Sequence, residues 1–105
     1  MRDSYFTYDE RLGIHVPDLL LEWDEYTEAQ QQMILAEWES IRGNIPDRIQ
    51  GLEQLINKKQ SQLDEEESFN ISCTLNYEIA ELASQINDLW LWYRTQESTS
   101  GKIHA

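Results

Sequence analysis

The side chains present in greatest number that could do chemistry are carboxylates. From Leu12 to Ile41 the chain has no Lys or Arg, while Asp18, Glu22, Asp24, Glu25, Glu28, Glu37 and Glu39 supply seven negative charges. Asp18, Glu22 and Glu25 fall on one face if this segment is helical. Carboxylates in a helical bundle hold a di-metal centre when facing helices also bring Glu-x-x-His pairs. His15 and His104 are the two histidines, and neither follows an acidic residue by three positions. No metal site is therefore expected. The run "DEEE" at 64–67 lacks the spaced oxygens and the glycine of a calcium loop, and reads as a solvated turn.

Nucleophilic chemistry finds no better footing. Cys73 is the single cysteine. It sits near an expected helix start, where a thiolate would be favoured, but its surroundings in the sequence carry no signature of a nucleophile. The glycines at 13, 43, 51 and 101 are isolated, so no phosphate-cradling loop is present. Two histidines near the chain ends suggest no Ser-His-Asp arrangement. No catalytic, cofactor-binding or metal-ligating residue is assigned, and no cofactor is expected.

One short motif carries a resemblance. "SQIND" at 84–88 resembles the S-Q-x-x-D core of the small sporulation-type aspartyl-phosphate phosphatases, which are acidic helical hairpins. The matching positions are Ser84, Gln85 and Asp88. The resemblance covers five residues. It implies an alternative function, hydrolysis of an aspartyl phosphate through Asp88. Asn87 stands where the family has Leu, and the N-terminal 45 residues and the tryptophan run have no counterpart in it.

Composition narrows the partners. In 105 residues there are 20 acidic and 8 basic side chains, a formal charge of −12. Nucleic-acid affinity rests on Lys and Arg contacts to phosphate, so direct binding to DNA or RNA is not expected, nor is binding to anionic membranes. An acidic face could instead imitate a nucleic acid in a basic groove, a further alternative whose affinity would collapse with salt. "MRDSYFTYDERLG" contains no apolar segment of a signal peptide, and no apolar run exceeds five residues, far short of a membrane span. A lone cysteine permits no internal disulfide. These features suit a cytoplasmic protein, so the "NIS" sequon at 70–72 reads as chance.

The elements follow from apolar spacing. Tyr5, Phe6 and Tyr8 lie in a stretch without sustained period, expected to be an N-terminal arm over 1–15. Pro17 and Asp18 suit a helix start, and Val16, Leu19, Trp23 and Tyr26 follow at spacings of three and four. "TEAQ" at 27–30 has the form of a capping box, which argues for a break near Thr27. Ile34, Trp38 and Ile41 then continue the stripe up to Gly43. Pro46 restarts a helix, with Ile49, Leu52, Ile56 and Leu63 at seam positions and Lys59 as the polar exception. Leu75, Ile79, Leu82, Ile86, Leu89 and Tyr93 form a second seam without a miss. The two seams are out of phase by two residues across "DEEESFN", so a turn is expected within 64–70.

The expected fold is thus all-α: an antiparallel helical hairpin over about 46–66 and 70–95. An N-terminal helix or broken helix pair over about 17–42 packs on it, giving a three- or four-helix bundle. Residues 16–96 would form one domain and 97–105 a disordered tail. In that hairpin "NDLWLWYR" at 87–94 is apolar on every side. Leu89 and Tyr93 belong to the seam, Trp90 and Trp92 flank it, and Leu91 points away. A helix apolar all round is either surrounded or a contact surface. Trp90, Leu91 and Trp92 are therefore the candidate protein-binding residues. The expected function is a small acidic interaction or regulatory module without catalytic activity. Its partner is a protein, with a homodimer as one form.

Overall fold

The computed structural model describes residues 5–95. The expected tail at 97–105 lies outside them. The fold is mainly helical, and its order is β1 (Phe6–Asp9), β2 (Ile14–Pro17), a 3-10 turn (Trp23–Glu25), α1 (Glu28–Gly43), α2 (Ile45–Glu65) and α3 (Phe69–Tyr93).

The two long helices form where the seams place them. Glu66 to Ser68 separate α2 from α3, inside the interval where the two seams lose phase. Ser68 caps α3, its hydroxyl accepting from the Ile71 amide at 3.4 Å, and its own amide donates to the Glu66 carboxylate at 3.0 Å. Lys59, the polar exception in the α2 seam, donates to Glu78 of α3 at 2.9 Å. That contact joins residues on opposite sides of the turn and fixes α3 running back along α2. Ile49 and Leu52 of α2 and Leu75, Leu82 and Leu89 of α3 are buried.

The N-terminal third departs from the all-α expectation. No helix starts at Pro17, and the stretch expected to be an unpatterned arm is largely a β-hairpin. Phe6 pairs with Pro17, Thr7 with Val16, Tyr8 with His15 and Asp9 with Ile14. The turn forms because Asp9 and Gly13 favour it. The Leu12 amide donates to the Asp9 carboxylate at 2.9 Å, and the Gly13 amide to the Asp9 carbonyl at 2.7 Å. Gly13 has φ +72°, a left-handed conformation that strains any residue bearing a Cβ. Ile14 and Val16, β-branched, then favour strand.

A helix over 17–26 is prevented by a competing acceptor. The amides of Leu20 and Leu21 donate to the Tyr26 hydroxyl at 3.2 and 3.3 Å, so neither is left for a helical carbonyl. Trp23 and Tyr26 are nevertheless buried, and Val16 and Leu19 pack against the core. Their spacing recorded burial and not helicity. Asp18, Glu22 and Glu25 consequently share no helix face.

The break at Thr27 does form. Thr27 Oγ1 accepts from the Gln30 amide at 3.1 Å, and Gln30 Oε1 accepts from the Thr27 amide at 2.8 Å. This reciprocal cap starts α1. Gly43 does not stop it by a left-handed turn. It is the last residue of α1, Asn44 stays right-handed, and the chain bends there into α2 with Pro46 in its first turn, where the missing amide of proline does no harm.

The core gathers at one end of the hairpin. Phe6, Leu12 and Ile14 of the β-hairpin, Trp23 and Tyr26, Ile34 and Trp38 of α1, Ile45, Ile49 and Leu52 of α2, and Leu82 and Leu89 of α3 form one cluster. Ile56 is partly buried against it. At the opposite end Phe69 is 79% exposed. Ile45, with no exposed surface, should lose about 2–5 kcal/mol of stability as Ile45→Ala. Phe69→Ala should stay within about 0.5 kcal/mol. Urea unfolding followed by circular dichroism measures both, and equal losses would contradict a one-ended core.

Candidate functional site

The candidate binding residues lie at the C-terminal end of α3, where the tip of the β-hairpin crosses it. The crossing is held by one arginine. Arg11, in the hairpin turn, donates from Nε to Glu81 at 2.7 Å, from Nη1 to Asp88 at 2.7 Å and from Nη2 to the Ser84 hydroxyl at 2.8 Å. Glu81, Ser84 and Asp88 stand one turn apart along α3, so the planar fork of a guanidinium spans them, a geometry that an ammonium would not reproduce. Gln85 also donates to Glu81, at 3.4 Å. The Arg11 hydrogen bond, with a smaller contribution from Gln85, holds the Glu81 carboxyl below the usual carboxylate range. The bonds to Asp88 and then Glu81 raise the already high Arg11 pKa further.

The base of the hairpin turn is fastened from the other side. Arg48 of α2 donates from Nε to the Leu12 carbonyl at 2.9 Å, and a Cβ at Gly13 would come within 2.8 Å of that same nitrogen. Glycine at 13 thus serves both the turn and the close approach of Arg48.

Between the hairpin tip and the end of α3 lies an open groove of about 600 Å³. Asp9, Arg11, Leu12, Asp88, Leu91, Trp92, Arg94 and Thr95 line it. Its floor is apolar and its rim carries both signs of charge. The three candidate residues divide at this groove. Trp92 is half-buried, its ring edge-on to that of Trp38 at 5.7 Å, and so belongs partly to the core. Trp90 is 38% exposed and Leu91 is 53% exposed. Trp90 leans on Tyr93 at 5.4 Å, and the Arg42 guanidinium sits over the Tyr93 ring, 4.7 Å from its centroid. Burial in one chain therefore accounts for Leu89, Trp92 and Tyr93, and leaves Trp90 and Leu91 facing outward.

Ser84, Gln85 and Asp88, the positions of the phosphatase resemblance, are brought together on α3. All three belong to the network around Arg11 and Glu81, directly or through Gln85. Among the described residues no three His, Cys, Asp or Glu side chains converge as a metal ion would require. Cys73 is exposed. No described helix is long and apolar enough to cross a membrane. Sequence reasoning missed Arg11. The available signal was a single cation between Asp9 and Gly13, two turn-forming residues, in a strongly acidic chain. No protein-family model, curated protein or solved structure matches the chain.

The clamp predicts a pH dependence. A carboxyl whose pKa is lowered on folding contributes stability above its unfolded pKa, about 4.3 for Glu, and loses it as pH falls through the folded value. Arg11→Ala should therefore lower the urea midpoint at neutral pH, with the difference from wild type narrowing as pH drops below about 4. Both groups are half-exposed, so high salt should shrink the difference as well. A difference that stays constant down to the acid transition would assign the loss to packing and not to the ion pairs.

Proposed function

We propose that this protein is a small acidic helical module that binds another protein and has no catalytic activity of its own. The observation that carries this reading is the outward pair Trp90 and Leu91 beside a groove floored by Leu12, Leu91 and Trp92. Aromatic and large aliphatic side chains next to a concave site are what binding hot spots use, because they bury much area for little lost side-chain freedom. Trp92 contributes by fixing the position of its neighbours through Trp38. The charge of −12 favours a protein partner over nucleic acid or an anionic membrane. A cytoplasmic setting suits the free thiol of Cys73.

The phosphatase alternative would need Asp88 to act on a phosphoryl group. Asp88 Oδ2 and the Ser84 hydroxyl are both occupied by Arg11, a structural use that accounts for these residues without catalysis. The expected result is that no phosphate leaves a phosphorylated receiver domain incubated with the protein. Release that disappears in Asp88→Ala, with helicity retained, would overturn the non-enzymatic reading. For the binding reading, the immobilised protein should retain a specific protein from lysate of its source cell. Leu91→Glu should lose that protein, while Phe69→Glu, at the far end, should keep it. Equal capture by both variants would remove the α3 end as the binding surface.

A further inference from the structure

The layer that covers one end of the α2–α3 hairpin stops short of its turn. Along α2, Ile49 and Leu52 are buried, whereas Ile56 and Leu63, nearer the turn, are half-buried. On α3, Leu75 is buried and Ile71, one turn before it, is 50% exposed. Between the two helices lies a groove of about 380 Å³. Gln62 and Glu65 of α2, Glu66 of the turn, and Ile71 and Leu75 of α3 line it. The Lys59–Glu78 ion pair crosses the hairpin about one turn inward on both helices.

The floor of this groove is apolar and its rim has one sign of charge. From Gln60 to Tyr77 the chain has no Lys or Arg, and Asp64, Glu65, Glu66 and Glu67 are consecutive. None of these four makes an ion pair among the described residues. Glu66 accepts from the Ser68 amide, which orders the turn but leaves its charge unmatched. The acids of α3 differ. Glu78 is paired with Lys59, and both Glu81 and Asp88 with Arg11. An apolar floor thus stands beside carboxylates for which the chain supplies no cation.

We propose that the turn end of the hairpin is a second docking surface, which takes a basic amphipathic helix of another protein. The apolar stripe of that helix lies on Ile71 and Leu75. It adds at this end the third layer that the β-hairpin and α1 supply at the other. Lys or Arg side chains flanking the stripe reach Glu65 and Glu66. An amphipathic helix laid in an apolar groove is a recurring mode of recognition, and charge complementarity selects the partner. The charge of −12 draws a basic segment in and disfavours a second copy, whose own acidic turn would meet this one. It equally disfavours nucleic acid and anionic membranes. The stretch from Ile71 to Leu82 is about 16 Å long, three helical turns. A contact of that length is small beside the roughly 800 Å² per partner of a standard interface, so binding in the micromolar range is expected. Trp90 and Leu91 stand at the opposite end of α3 and take no part in it.

The probe is a synthetic stapled helix of about four turns, with leucines in one stripe and lysines along both of its edges. Titrated with the full chain, the labelled peptide should saturate, and its affinity should fall with salt. Ile71→Ser removes part of the floor without changing charge and should raise the dissociation constant at least about tenfold. Glu65→Gln combined with Glu66→Gln should do the same at low salt. Glu28→Gln combined with Glu37→Gln removes as much charge from α1 and should leave binding unchanged. Carbodiimide coupling should join the peptide's lysines to Glu65 or Glu66. A peptide with serines in place of the leucines should bind at least about tenfold more weakly. Absence of saturable binding, indifference to Ile71→Ser, equal effects of the two double variants, coupling mainly to carboxylates outside the turn, or equal binding of the serine peptide would each overturn the proposal. Capture through Leu91 is read in a separate experiment, so either surface can fail without the other.

Discussion

Two helices packed side by side can bury only one stripe each, and the rest of this structure follows from that limit. The α2–α3 hairpin has a good seam, but a seam is not a core. A third layer is supplied at one end only, and Trp38 is where it joins. Its indole is 1% exposed. It lies nearly parallel to Phe6 of β1, with centroids 6.3 Å apart, and edge-on to Trp92 of α3 at 5.7 Å. One side chain on α1 thus touches both the β-hairpin and the end of the long hairpin. The apolar contacts that stabilise the fold concentrate there. The far end, with Phe69 and Ile71 exposed, is two helices and a turn.

Four of the described cations are placed where elements meet. Arg11 joins the β-hairpin to α3, Arg48 joins α2 to the hairpin turn, Arg42 joins α1 to the end of α3, and Lys59 joins α2 to α3. In a chain with 20 acids and 8 basic residues, a positive charge finds a carboxylate nearly anywhere, so carboxylates alone cannot specify a contact. Geometry does. Arg11 meets two carboxylates and a hydroxyl at a spacing that matches one helical turn, and Arg48 and Arg42 reach main-chain carbonyls, which exist at defined positions. Exposed ion pairs are individually weak. Here they orient apolar pieces that burial has already brought together.

The parts of this fold legible in the sequence are those written in side-chain period or in a local capping pair. The phase slip between Leu63 and Leu75 marked the turn, and Thr27 with Gln30 marked the start of α1. The β-hairpin was not legible in that way. Val16, Leu19, Trp23 and Tyr26 have helical spacing and become part of the core, yet they reach it from a strand, a loop and a 3-10 turn. The decisive agent is the Tyr26 hydroxyl, which takes the amides of Leu20 and Leu21. A tertiary bond of that kind leaves no periodic trace. Arg11 escaped for a related reason, since a single residue has no pattern, and its three partners lie at least 70 positions further along the chain.

The apolar run at the end of α3 shows how a local excess of hydrophobicity is shared out. Five consecutive apolar residues on a helix point in every direction, so no single neighbouring element can cover them. Leu89 faces the core, Trp92 turns sideways onto Trp38, and Tyr93 passes beneath Arg42. Leu89 is covered by the core and both Trp92 and Tyr93 from α1, and together those contacts lock the rotation of α3 about its axis. Once that rotation is fixed, Leu91 has to point outward, because it lies about half a turn or more from Leu89 and Tyr93 on the helix. The same rotation sets Ser84 and Tyr77, seven and fourteen residues earlier, on the line of Leu91. The packing that secures the inside of the molecule therefore also determines that Leu91 and Tyr77 are presented outward on α3.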